Sequence, residues 1–323
     1  MPGPEQNLTL EETAVTAQAG HILFGDLQLR PHPHAVARLI SAGMTTPIIH
    51  AVAEQVGLSG VIMHETMAEL EQSMPYYQAA SDAIANDFPD RIKLFAGRDA
   101  ENLYDDFSVV HPDHRSHLMP ASPDLWLSQG MKTRPLARNF LAGYDLRDDT
   151  IYDGEPAYLL IDSGFLGRIG QRLDSAVQTI YGQSILETGQ LTVKLLGASL
   201  TWMRILDITL DPGVELTRVR RHTNKSDPHM LLGTALQLLP RYHGRYIDLR
   251  RKGDIITPVS AQTALTLDVD NGPRNKNSSI VNPLGAALVQ HAIVKAAMER
   301  TQGSRSAPLH GPDHDLQIIK RRR

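Results

Sequence analysis

Apolar positions recur at two different periods along this chain, and the switch between them divides it into three parts. Through residue 88 the spacing is helical. Ala35, Val36, Leu39 and Ile40 share one face of a helix starting at His34, and Gly43 suits the position just past its end. Thr46-Pro47 reads as an N-cap followed by a first-turn proline, opening a second helix through Val52 and Val56 to Gly57. Two short helices joined this closely predict an αα-hairpin. A third helix is expected over His64–Asn86, interrupted or kinked at Pro75. Ahead of these, residues 1–19 are polar, with a short helix expected over Leu10–Gln18. The apolar run His21–Leu29 is either a strand or a loop leading to the Pro31–His34 breaker.

The pattern changes at Pro89. Ile92–Gly97 is short and mostly apolar, like a buried strand, and a helical stretch follows it. His117–Ser122 is a second strand candidate. Asp124 to Trp126 and Arg134–Tyr144 read as helix. Ala157–Asp162 is the clearest strand, followed by Gly164, Gly167 and Gly170 and a helix through Leu173, Val177 and Ile180. Leu191–Leu200 is a further strand. This alternation predicts an α/β fold: a mostly parallel sheet with flanking helices. The last third is less regular. It contains a turn at Asp211-Pro212-Gly213, a helical run over Met230–Leu239 and a hairpin around Lys252-Gly253-Asp254. A strand over residues 265–270 runs into a polar turn, and a final helix starts at Asn282-Pro283 and ends near Gly303. That helix is expected to bury one face. The domains expected are a mainly helical N-terminal extension (1–88), an α/β ligand-binding core (89–205) and a C-terminal α+β portion with the final helix and a mobile tail (206–323).

Composition narrows the chemistry. The 323 residues contain no cysteine, which removes disulfides, thiolate nucleophiles and cysteine-bound zinc together. A net charge of −4 does not favour bulk nucleic-acid binding, and the basic run Lys320–Arg323 is short enough to be a solvated tail. No stretch reaches the ~18 apolar residues of a membrane span, and the N-terminus lacks the basic and apolar regions of a signal peptide. A cytoplasmic location is the expectation, with homo-oligomerisation left open.

Three places carry candidate chemistry. Asp162 ends a buried strand, and Ser163, Gly164, Gly167, Arg168 and Gly170 follow before and into a helix. Such a turn points backbone N–H groups and a helix N-terminus at one spot, which suits a phosphate. The spacing is neither the dinucleotide-binding GxGxxG nor a Walker A loop, and glycines serving packing alone are the competing reading. Arg98 and Asp99 sit past the end of the earlier strand. If the two strands are neighbours, Arg98 and Asp162 face one crevice, where the guanidinium could grip an anion. Asp268, Asp270 and Asn271 offer hard oxygen ligands for Mg²⁺ or Ca²⁺, against an ordinary polar turn. His111, His114 and His117, with His32 and His34, allow a zinc site chemically, but Pro112 argues against one helix displaying the first three. No GxSxG supports a serine hydrolase.

Taken in order, the strand with its Gly97 turn, the segment ending in Ser122 and the strand ending in Asp162–Gly170 resemble the type I phosphoribosyltransferase plan over residues 90–200. The resemblance implies that Ala96–Asp99 meets pyrophosphate and that Asp162–Gly170 cradles the ribose and 5-phosphate of phosphoribosyl pyrophosphate, with Mg²⁺. The chain departs from the family pattern in two places. Ser163 stands where a second acidic residue is usual, and Gly167-Arg168 replaces the phosphate-binding Thr-Gly pair. The same elements are similar to an uncharacterised domain that accompanies haloacid-dehalogenase-like domains, a likeness that implies no activity. The expected function is an enzyme that binds a phosphorylated sugar or nucleotide, in its sharpest form a phosphoribosyl-type group transferase using Asp162, Arg98 and Asp99, with Ser122 and the glycine loop on the phosphate. A non-catalytic ligand-sensing or interaction protein is one alternative. A metal-dependent phosphate-ester hydrolase is another.

Overall fold

Two short, mostly apolar runs form the middle of a parallel sheet. The computed structural model describes residues 30–55, 57–58, 60–97, 100–162, 168–195, 204–205, 239, 246–252, 255–260 and 283–306. Strand β1 (Ile92–Gly97) and strand β3 (Tyr158–Asp162) are buried along their whole length. Their mostly apolar character suits them because both sheet faces are covered. Strand β2 (Ser116–Pro120) lies at one edge and is only partly buried. Strands β4 (Leu191–Leu195) and β5 (Arg204–Ile205) complete the order β2-β1-β3-β4-β5, with every pairing parallel. Phe95 stands opposite Leu118 on one side and Ile161 on the other. The α/β expectation therefore holds, with helices on both faces.

Alternation along the strands sorts the core into two halves. Phe95, Leu159 and Ile161 face a layer made of α3 (Gly60–Asp87), α4 (Glu101–Val110) and α10 (Pro283–Ser306). Leu94, Ala96, Tyr158 and Leu160 face the opposite layer. That layer holds α5 (Pro123–Leu127), α6 (Gln129–Lys132), α7 (Arg134–Ala142), α8 (Asp148–Asp153) and α9 (Arg168–Tyr181). The hairpin of β6 (Tyr246–Lys252) and β7 (Ile255–Ser260) is antiparallel, as the turn residues predict, and Leu249 packs into the second layer's core. Among the described residues no single helix is long and apolar enough to cross a membrane.

The N-terminal helices form where the apolar spacing places them. Helix α1 (Pro33–Ser41) buries Val36 and Leu39 and is closed by Gly43 at φ 102°, a conformation few side chains tolerate. Helix α2 (Thr46–Gln55) begins one residue ahead of Pro47, and Gly57 follows it at φ 103°. Two expectations need correction. First, of the two outcomes expected at Pro75, the interruption does not occur: α3 is one helix of 28 residues. A proline inside a helix removes one backbone hydrogen bond. Here Leu70 and Ser73 before it and Tyr77, Ala80 and Ile84 after it are buried against the rest of the fold, which holds the helix through the gap. Second, α10, which ends three residues past Gly303, does not bury a single face. Every residue from Leu284 to His291 is buried. Val289 and Ile293 pack with Phe95 and Phe107, while Leu288 and Val294 pack with Val36 and Val52 of α1 and α2. The last described helix thus lies between the sheet-facing helices and the N-terminal hairpin.

Charged side chains buried in this arrangement are paired at several points. Helix α4 carries Glu101, Asp105 and Asp106, all buried. Arg30, ahead of α1, forms an ion pair with Asp105 and donates to the Glu101 carbonyl at 2.9 Å. From α10, the Gln290 amide donates to Asp105 Oδ1 at 3.0 Å and to the Pro31 carbonyl at 2.9 Å. Arg300 pairs with Asp106 at 2.9 Å and with Asp82 at 3.4 Å. Burial pushes the Asp105 carboxyl up, to about 6, against the pull of Arg30 and Gln290. Burial likewise pushes His291 down to about 4, so its imidazole is neutral against the Met44 carbonyl.

Removing one partner of a buried ion pair strands the other charge. Arg30→Met is therefore expected to cost about 3–5 kcal/mol in urea unfolding, and the double variant Arg30→Met/Asp105→Leu should recover more than half of that loss. A chain ending at Asn282 lacks α10 and exposes both helical cores. It should be insoluble, or should lose near-UV circular dichroism while keeping helical far-UV signal.

Candidate functional site

The strand order places a reversal between β1 and β3. From β1 the chain crosses through α4 to β2 on one side; from β3 it crosses through α9 to β4 on the other. Helices α4 and α9 pack on opposite faces of the sheet, so their beginnings diverge at the carboxyl ends of β1 and β3. Ligands of open α/β sheets bind in the crevice at such a reversal. Gly97 ends β1, and Asp162, 2% exposed, ends β3. The two strands that bear the sequence candidates are direct parallel neighbours, the condition under which residues just past their ends share one crevice.

The candidates divide as follows. Arg98, Asp99, Ser163, Gly164 and Gly167 lie outside the described residues, as do Asp268 and Asp270. Arg168 opens α9. Ser122, just beyond β2, is buried and caps α5: its Oγ accepts from the Leu125 N–H at 3.3 Å. Gly97 permits close strand contact, since a Cβ there would lie 2.9 Å from the Met119 carbonyl oxygen. Gly170 permits close helix–strand contact, since a Cβ there would lie 2.6 Å from Val193 Cγ2. At Gly170 the packing explanation of the glycine run accounts for the residue. Gly170→Ala should cost about 1–3 kcal/mol as an overpacked contact, and Val193→Ala in the same chain should relieve most of it, both read from urea melts.

A second concave region lies away from the carboxyl edge, where the open side of β2 meets α1 and α4. Two adjoining hollows of about 240 and 330 Å³ share His32, Tyr104, Ser116 and His117. His34, His114 and Arg115 line the first, and Arg30 and Tyr144 the second. As Pro112 implies, the three closely spaced histidines are not on one helix. His111 follows α4, His114 is in the connecting loop and His117 is on β2. Each has its own partner: His111 Nε2 meets Asp82 at 3.1 Å, His114 Nδ1 meets Lys93 Nζ at 2.8 Å and His117 Nε2 meets Asp145 at 3.0 Å. Among the described residues no cluster of three or more His, Asp or Glu side chains is arranged to hold a metal ion.

Electrostatics in this region follow from burial. Lys93 is an interior residue of β1 with no exposed surface, and burial pushes its ammonium down, to about 8. It also donates to the Pro89 carbonyl at 3.1 Å. Burial, then Lys93 and His111, hold His114 below the usual imidazole value. Burial, then His34, Arg30 and Arg38, do the same for His32. Burial pushes the Tyr104 hydroxyl up. Comparison with family models, curated proteins and solved structures returns no match.

Sequence reasoning named all five of these histidines but considered them as metal ligands. It missed Tyr104, Lys93 and Asp145. The available signal was Lys93 itself, a charge inside an otherwise apolar buried strand, which requires a polar partner nearby.

Proposed function

We propose that the chain binds a small phosphorylated sugar or nucleotide at the carboxyl edge of the sheet, in the cytoplasm, where such ligands are made and used. One observation carries this reading: β1 and β3 are parallel neighbours at a reversal of strand order, with Gly97 and Asp162 at their ends. The resemblance to type I phosphoribosyltransferases needs this adjacency, because its pyrophosphate turn and its ribose-phosphate loop hold two ends of one donor. In the sharpest form, the bond from ribose C1 to the pyrophosphate oxygen breaks and its electron pair leaves with pyrophosphate. An acceptor nucleophile forms the new bond to C1. Arg98 would hold the leaving group, Asp162 the ribose hydroxyls, and the backbone N–H groups after Asp162 the 5-phosphate. Asp162 is a hard oxygen donor of the kind Mg²⁺ prefers, and that ion would screen the phosphate charge. The protein's contribution is positioning and charge stabilisation.

A second reading is supported by Ser163, which stands where a second acidic residue is usual. Here the loop binds the ligand but the chain senses it without turnover. Thermal-shift titration with phosphoribosyl pyrophosphate and common nucleotides, with and without Mg²⁺, tests the site. Wild type should gain about 2.7 kcal/mol of stability at a hundred times the dissociation constant. Gly167→Val should lose that gain while keeping the unliganded melting temperature, because a side chain there would block the backbone from the phosphate. No shift with any phosphorylated ligand sinks both readings. A shift without pyrophosphate release under any acceptor tested leaves only the sensing form.

A further inference from the structure

We infer that the histidine-lined hollow beside β2 is a separate binding site for the phosphate group of a small phosphomonoester. The hydrogen-bond directions around it carry the argument. His32 Nδ1 accepts from the His34 backbone N–H at 3.3 Å, so the neutral ring carries its proton on Nε2. That Nε2–H donates to the Tyr104 hydroxyl oxygen at 3.1 Å. The phenolic proton therefore points away from His32, and Tyr104 lines the hollow. His114 Nδ1 lies 2.8 Å from the Lys93 ammonium, a group with donors only, and the same ring hydrogen-bonds the Pro89 carbonyl, so His114 is held in place from the β1 side. His117 gives its Nε2–H to the Asp145 carboxylate, and Arg115 gives an N–H to the same oxygen at 2.7 Å. Asp145 thus orients both side chains without itself lining either hollow.

The result is a wall of donors. Tyr104 offers O–H, Ser116 offers a hydroxyl and Arg115 offers the rest of its guanidinium, with the His114 ring beside them. Among the described residues no acidic side chain lines either hollow. Lys93 stands behind His114, and Arg30 lines the adjoining hollow. These donors come from α4, the following loop and β2, so they approach from several directions. A tetrahedral anion with four oxygens meets such a set better than a planar carboxylate, which is best met by one fork. A volume of about 240 Å³ is at the small end for a ligand site, which suits a compact phosphomonoester and excludes a dinucleotide. The position, at the open side of β2, is distinct from the β1–β3 crevice, and this inference does not rest on the reading of that crevice.

The test uses the full chain with ¹⁵N-labelled histidine, its imidazole signals assigned through single His→Gln variants and titrated with inorganic phosphate. Signals of His34, His114 and His117 should move together and saturate. Tyr104→Phe and Arg115→Gln should each weaken the response about tenfold, the effect of losing one hydrogen bond to a charged group. Arg115 is 60% exposed, so its variant keeps the fold if Tyr104→Phe does not. Acetate should act at least about tenfold more weakly than phosphate, and Gly167→Val should leave the response intact. Three results overturn the inference: no movement of these signals at any phosphate concentration, a response in Tyr104→Phe and Arg115→Gln as strong as in wild type, or loss of the response in Gly167→Val, which would trace it to the crevice.

Discussion

The buried acidic row of α4 is the constraint on which the rest of the structure turns. Glu101, Asp105 and Asp106 sit on a helix whose first eight residues are all buried, a placement carboxylates avoid unless paired. Their cations come from distant parts of the chain: Arg30 from the segment ahead of α1 and Arg300 from α10. Those two arginines therefore fix where the N-terminal hairpin and the last helix must dock. Apolar packing of Val289 and Ile293 against Phe107 gives affinity, but apolar contacts are non-directional, whereas the ion pairs and the Gln290 bridge select one register.

Helix α4 also connects both candidate sites. Its beginning follows Gly97 at the carboxyl edge of β1, and its Tyr104 and Ser108 line the hollow beside β2. The same helix that cannot shift without breaking the Arg30 and Arg300 pairs holds the Tyr104 hydroxyl in place. Lys93 plays the matching part from the sheet side. Its ammonium leaves the interior of β1 to orient His114. Rigid elements, not long loops, thus carry the donors of the hollow, whereas the candidate residues of the crevice follow strand ends.

What could be read from the sequence depended on how local the determining physics was. Ile92–Gly97 and the run ending at Asp162 were legible because a strand covered on both faces needs a mostly apolar stretch, and both are short and rich in Ile, Leu, Phe and Tyr. Gly43 and Gly57 were legible because left-handed backbone after a helix is a glycine position. Pro75 misled because its effect is local while the burial of Tyr77 and Ile84 that overrides it is not. The expectation of one buried face for α10 failed because residues on its other sides, such as Ala286 and Ala287, are also contacts on a helix surrounded by others. At the crevice the glycine turn was visible as a motif. Of its members, Gly170 proves to be shaped by Val193. The hollow was not legible, since His32, Tyr104 and His117 belong to three elements that only the fold brings together.

The position of α10 has a consequence for how the protein is made. The helix that separates the N-terminal hairpin from the sheet-facing layer is translated after both of them. Until it leaves the ribosome, Val36, Val52 and Phe107 have no partner on that side, and Asp106 has no arginine from α10. At usual elongation rates, the interval between residues 110 and 306 is on the order of ten to forty seconds. Throughout that time the first hundred residues carry an open apolar seam, and closing it requires contacts of very high sequence separation, which form slowly. Burial of that seam is thus completed last, from the C-terminal side inward.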